Sequence, residues 1–222
     1  MRRLICAAVV GQSTISTGAA CDLALAFAVD VSGSIDAPDY QTQMTGLAEA
    51  LRDPAVARAL ADRRSELLVV QWTGLRQQTV AMPWTPVASV ADVHAVAGRI
   101  ATLDRAWNRN TTAIGEALSF TQATFDLVPH CYRRVIDVSS DGVSNDGRLP
   151  ATLRADLEAA GITVNALAIE QSPKGRVTRY YERYVIAGPG AFVQTAVGFG
   201  QFSDAMREKL RREIAGDLVM LD

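Results

Sequence analysis

The stretch LALAFAVDVSGSID, residues 23 to 36, decides the fold. Its first seven residues, Leu23 to Val29, are apolar without a break. That marks a strand buried on both faces of a parallel sheet, since a half-exposed strand alternates polar and apolar positions. The run then meets Asp30, and Ser32 and Ser34 follow at alternate positions around Gly33. An aspartate at a strand end can be a nucleophile, a phosphate neighbour, a metal ligand or the cap of the next helix. Asp36, just ahead of Pro38, can cap that helix without help from Asp30.

The same device returns at RRVIDVSSDG, residues 133 to 142, where a basic lead and an apolar strand run into Asp141-Gly142. Between and after the two, strands alternate with helices. A helix is expected from Pro38 to Arg52, with Tyr40, Met44, Leu47 and Leu51 on one face. ELLVVQW (66 to 72) and QTVAMPW (78 to 84) read as strands close enough to pair as a hairpin. Helices follow over 89 to 103 and, after the polar loop DRAWNRNTT, over 113 to 125. A helix over 149 to 160 stops at Gly161, and ITVNALAI (162 to 169) is the fifth strand. RYYERYVI reads as a short helix, AFVQTA (191 to 196) as an edge strand, and 202 to 216 as a closing helix capped by Ser203. The class is α/β: a doubly wound, mostly parallel six-stranded sheet with helices on both faces and one antiparallel edge strand. In such sheets ligands bind outside the carboxyl ends of the strands, where Asp30 and Asp141 fall.

The chain has 222 residues, enough for one well-buried domain and hardly for two. Its formal charge of −2, with no Lys/Arg stripe interleaved with aromatics, argues against a nucleic-acid partner. Residues 1 to 20 join a basic start, MRR, to the short apolar run LICAAVV and a small-residue site at Gly18-Ala19-Ala20. This is the pattern of a secretory signal, and the run is too short to span a membrane. The alternative is an intracellular N-terminal strand.

Asp30-Val-Ser32-Gly-Ser34, a threonine before AIGEAL, and Asp141-Gly142 after a buried strand resemble the von Willebrand factor A (VWA) domain, also called the integrin I domain. The resemblance covers nearly all of residues 21 to 222. It implies a metal-ion-dependent adhesion site in which Ser32, Ser34 and Thr112 are direct ligands and Asp30 and Asp141 accept from metal-bound waters. Thr111 is the rival for Thr112, because Asn110-Thr111 stands where the family often has glycine. Hard oxygen donors without His or Cys suit Mg²⁺, with Mn²⁺ or Ca²⁺ as alternatives. The implied function is an exported, monomeric binding module that engages a protein partner through an acidic side chain, in the periplasm or secreted. DVSGSID, TTAIGEAL, RRVIDVSSDGVSN, GITVNALAI and GPGAF are similar to a group of uncharacterised secreted VWA-like proteins of proteobacteria, whose usual SGDG is here Ser139-Ser140-Asp141-Gly142.

The resemblance also sets the first and fourth strands side by side. Cys21 and Cys131 precede those strands by similar intervals, which favours a disulfide between them. Two unrelated core cysteines, or a lipid on Cys21, are the alternatives. Asp137 reads as a buried structural residue reaching a loop or an arginine, and Asn145 as a shaper of the loop beside the site. Of the tryptophans, Trp107 lies in the loop before Thr112 and is the one expected near a ligand. Neither His94 nor His130 falls in a hydrolase or zinc-protease motif. A phosphotransferase of the haloacid dehalogenase type would want an aspartate where Ser32 stands. A metal-assisted phosphoesterase and a scaffold that has lost its metal are the rival readings.

Overall fold

A computed structural model describes residues 21–108, 111–172 and 174–215. The expected signal segment, 1 to 20, lies outside the described residues, as does Asn110.

The strands are β1 (Cys21–Asp30), β2 (Glu66–Trp72), β3 (Gln78–Pro86), β4 (Cys131–Ser140), β5 (Ile162–Glu170) and β6 (Val193–Val197). They form one sheet in the order β3-β2-β1-β4-β5-β6. Every pairing is parallel except the β2–β3 hairpin at one edge. The helices are α1 (Ala37–Arg52), α2 (Pro54–Asp62), α3 (Val90–Ile100), α4 (Ile114–Thr124), α5 (Arg154–Ala159), α6 (Arg176–Tyr184) and α7 (Phe202–Ala215).

The apolar run of β1 hides a second pattern, in size. Leu23, Leu25, Phe27 and Val29 point into a core shared with α1, α2, α3 and α7. Ala24, Ala26 and Ala28 point the other way, against Ile114 and Leu118 of α4, Leu157 of α5 and Tyr181 of α6. Strand side chains alternate faces, so a Leu/Ala alternation builds one deep core and one shallow one, where a helix packs close to the sheet.

Several boundaries differ from expectation. β1 starts at Cys21, not Leu23. The helix expected over 149 to 160 is a 3-10 turn, Pro150–Leu153, followed by α5. The helix α2 was not foreseen, because Asp53-Pro54 reads as a turn that ends α1. In fact Asp53 closes one helix and opens the next: its Oδ1 accepts from the Ala55 and Val56 amides at 3.1 and 3.2 Å. Ser203 does not cap the closing helix. It sits within the first turn of α7, after a 3-10 turn at Phe199–Gln201, and donates to Glu49 Oε2 at 2.9 Å. Asp137 is buried as expected, but its charged neighbour is Lys209 of α7, at 2.7 Å, rather than a loop or an arginine.

Cys21 and Cys131 are register partners on β1 and β4 and form a disulfide, with Cα atoms 4.4 Å apart. The bond closes a loop of 110 residues. Constraining so long a loop in the unfolded chain is where its stabilisation arises in the chain-entropy view. Replacing both cysteines by alanine is therefore expected to lower unfolding stability by about 2–4 kcal/mol. A urea midpoint unchanged by the double substitution would contradict this.

Candidate metal centre

The sheet order makes the site. From β1 the chain crosses to β2 on one side, while β4 lies on the other, so the connections diverge at the carboxyl ends of β1 and β4. That divergence opens a crevice. Asp30 ends β1 and Asp141 directly follows Ser140, the last residue of β4, so both carboxylates lie at the same end of the sheet.

The turn after β1 is tightly held. The Val31 amide donates to the Trp72 carbonyl at 2.9 Å, and the Ile35 amide to the Ser32 carbonyl at 3.1 Å. Arg105 fastens its back: Nη2 reaches the carbonyls of Val31, Ser32 and Ile35 at 3.0, 2.9 and 2.6 Å. Asp36 then caps α1, accepting from the Asp39 amide at 2.8 Å, which leaves Asp30 to face the crevice. Arg105 carries no sequence signal, since it lies in a polar loop without a motif.

Three hydroxyls converge at the crevice. Ser32 Oγ lies 3.3 Å from Ser34 Oγ, and Thr112 Oγ1 lies 3.3 Å from Ser32 Oγ. Ser34 Oγ donates to Asp141 Oδ1 at 2.7 Å. Asp30 accepts from the Ser32 amide at 2.7 Å through Oδ1 and from Ser140 Oγ at 2.5 Å through Oδ2. Gln171 Nε2 donates to Asp141 Oδ2 at 2.9 Å. Asp30, Ser32, Thr112 and Asp141 are buried, and Ser34 is exposed, so the cluster opens outward at Ser34. Ser140 and Gln171 were missed. Ser140 stands where the similar sequences carry glycine, and that departure was the available signal.

Between the two threonines the placement is plain. Thr112 reaches the serines, and Thr111 turns away to donate to Asp146 Oδ2 at 2.6 Å. Asn145 sets this register: its Oδ1 accepts from the Thr112 amide at 2.8 Å, and its own amide donates to the Thr112 carbonyl at 2.9 Å. The following glycine of AIGEAL is also accounted for. A Cβ on Gly115 would lie 2.3 Å from the Arg148 carbonyl oxygen, so only glycine lets α4 and the 144–148 loop approach so closely. Trp107 is half-buried and packs against the core on the α1 face.

Burial dominates the electrostatics of Asp30. It pushes the carboxyl up to about 7, against the opposing pull of the hydrogen bonds from Ser140 and Ser32. Among the described residues the hydrogen-bond donors to both carboxylates are neutral groups, and no protein cation contacts them. This donor set fits a hard divalent ion. In an octahedral shell neighbouring oxygens lie √2 times the metal–oxygen distance apart, about 2.9 Å for Mg²⁺ and about 3.4 Å for a Ca²⁺ contact of about 2.4 Å. The 3.3 Å hydroxyl spacings fall inside that range, nearer its Ca²⁺ end and a few tenths of an ångström wider than a closed Mg²⁺ shell. A second group, Cys21, Glu66, His130 and Cys131, has metal-binding residue types at the opposite end of the sheet. Its sulfurs are bonded to each other and offer no thiolate.

The model of a family described as "Protein of unknown function (DUF1194)" matches residues 20–218, and the chain belongs to that family. Comparison with curated proteins finds no match. Among solved structures, proximal thread matrix protein 1 (PTMP1) from the mussel byssus is similar at 24% identity and TM-score 0.65, over 86% of this chain and 47% of that one. The chain thus spans about half the length of the mussel protein. A structure of PTMP1 with a zinc-occupied MIDAS motif is similar at 19% identity and TM-score 0.59, over 88% of this chain and 46% of that one. A von Willebrand factor type A protein from Catenulispora acidiphila is similar at 19% identity and TM-score 0.58, over 87% and 43% of the two chains. The fold is that of the VWA domain.

Because Asn145 alone supplies the side-chain acceptor for the Thr112 amide, Asn145→Ala is expected to cost about 1–3 kcal/mol of stability, the range for an amide left unpaired in a half-buried setting. Denaturant unfolding measures it, and an unaltered midpoint would show that the threonine loop is held by other contacts.

Proposed function

We propose that the chain is an exported VWA-like binding module that holds one divalent cation, Mg²⁺ by preference, at Ser32, Ser34 and Thr112, and engages a protein partner through a partner carboxylate. The observation that carries this reading is the converging chain of three hydroxyls, open to solvent at Ser34 and backed by two carboxylates.

When bound, the cation would supply an electrophilic centre for an incoming carboxylate. The chain's own groups prepare for it. Ser34 donates its proton to Asp141, which leaves its oxygen lone pairs directed elsewhere and makes that oxygen a better donor. Asp30 and Asp141 stay behind the hydroxyls, where they accept from water rather than neutralise the ion directly. Three neutral hydroxyls donate little charge, so such an ion keeps its appetite for an anionic ligand from outside. The zinc-occupied MIDAS motif of PTMP1 supports cation binding on this fold. Oxygen-only donors favour a harder ion than zinc here. Export is supported by the disulfide, since such bonds persist in oxidising compartments. One chain suffices for the site, in keeping with a monomer.

Titration of Mg²⁺ and Mn²⁺ into the metal-stripped chain by calorimetry is expected to show saturable one-site binding, lost in Ser32→Ala and in Asp141→Ala. Absence of both heat and thermal stabilisation by metal in the unaltered chain would overturn the cation, and with it the partner carboxylate.

A further inference from the structure

Lys209, Asp137 and Glu213 form a group that the cleft does not use. Lys209 Nζ lies 2.7 Å from Asp137 Oδ2 and 2.7 Å from Glu213 Oε1, and the three side chains are 0%, 0% and 2% exposed. Asn165 Nδ2 donates to the same Glu213 oxygen at 2.7 Å. The Phe192 ring closes the site, its centroid 5.5 Å from Nζ, and the Arg212 guanidinium covers that ring at 3.9 Å. Arg133 Nη1 donates to the Glu213 carbonyl at 2.8 Å.

The Asp137 carboxyl is poorly served as an ion. Its Oδ2 meets Nζ at 2.7 Å with poor hydrogen-bond angles, and Oδ1 and Glu213 Oε2 have no hydrogen-bond partner among the described residues. A buried carboxylate without such bonds is costly, and an ammonium set between two carboxylates in a sealed site does not remove the cost. Burial pushes the Asp137 carboxyl up to about 7 even with Lys209 pulling it down. A carboxyl in contact with a lysine nitrogen at 2.7 Å, both side chains buried and a second carboxyl within reach of the same nitrogen, is the arrangement for amide condensation.

We propose that Lys209 and Asp137 are joined by an intramolecular isopeptide bond, with Glu213 transferring the protons. Proton transfer from the Lys209 ammonium to the Asp137 carboxylate leaves an amine and an acid. The Nζ lone pair attacks Asp137 Cγ and forms the N–C bond. Glu213 takes a proton from Nζ and returns it to the departing hydroxyl. The Cγ–O bond then breaks, and one water leaves with one carboxyl oxygen, one proton from nitrogen and one from the acid. No electron is gained or lost and no co-reactant is needed. Asn165 is a poorer acyl donor, because its Oδ1 accepts from the Phe192 amide at 3.0 Å and its Nδ2 is held by Glu213.

The test is the intact mass of the purified chain, denatured but not reduced. The expected mass is lighter by one water than that of the same chain with its disulfide. Digestion is expected to yield a branched peptide joining Asp137 to Lys209, with no tryptic cleavage after Lys209. Glu213→Gln and Lys209→Arg are expected to restore the full mass. A full mass in the unaltered chain overturns the proposal and leaves an ion cluster only. A lost water mapped to Asp141-Gly142 or Asp146-Gly147, where aspartyl-glycine sequences cyclise, overturns it equally. Because the unaltered chain decides, a variant that fails to fold does not blunt the test.

Discussion

The Asp30 carboxyl is buried at the end of β1, so its hydrogen bonds have to come chiefly from the protein. The strand is covered on both faces, and its last residue is 0% exposed. Everything around the crevice follows from that constraint. The Ser32 amide must turn back to Asp30, which bends the chain sharply after the strand and brings the two serine hydroxyls to one side. The other oxygen must find a donor on the neighbouring strand, and Ser140 provides it. The turn so formed exposes its own carbonyls on the far side, where Arg105 gathers three of them. A buried carboxyl thus dictates a loop conformation, and the loop presents the hydroxyls.

Much of this could be read from the residues because it is local. The unbroken apolar run named a central strand, and the alternate serines named a turn whose side chains share a direction. The repetition of strand and aspartate at 133 to 141 then gave the second wall of the crevice. What could not be read depends on contacts between segments far apart in sequence. Thr111 and Thr112 are equivalent neighbours until Asn145, 33 residues on, chooses between their backbones. Arg105 and Gln171 sit in loops that follow no periodic pattern. Lys209 looked like one more charged residue on an amphipathic helix, and only the packing of α7 over β4 and β5 puts it beside Asp137. The α2 helix escaped notice for a different reason: Asp-Pro favours a break, and here one side chain serves the break and the restart together.

The chain buries acid in two ways. At the crevice, Asp30 and Asp141 are surrounded by neutral donors, and the negative potential of the pair is left uncompensated at an opening. Under α7, Asp137 and Glu213 are buried together with a lysine. The first arrangement sets neutral donors against its carboxyls, whereas the second sets a lysine between them. Both sit on the sheet, yet they lie on different parts of it: the crevice at the carboxyl ends of β1 and β4, the sealed group midway along β4 and beneath the closing helix.

The disulfide and the crevice occupy opposite ends of the same two strands. Tension applied between residue 21 and a ligand seated at Ser34 would run along the axis of β1, and parallel strands loaded in that direction fail by sliding past one another. Cys21 and Cys131 are bonded at matching positions, so β1 cannot slip against β4 without breaking a covalent link. The disulfide therefore ties the register of the two strands at the end remote from Asp30 and Asp141.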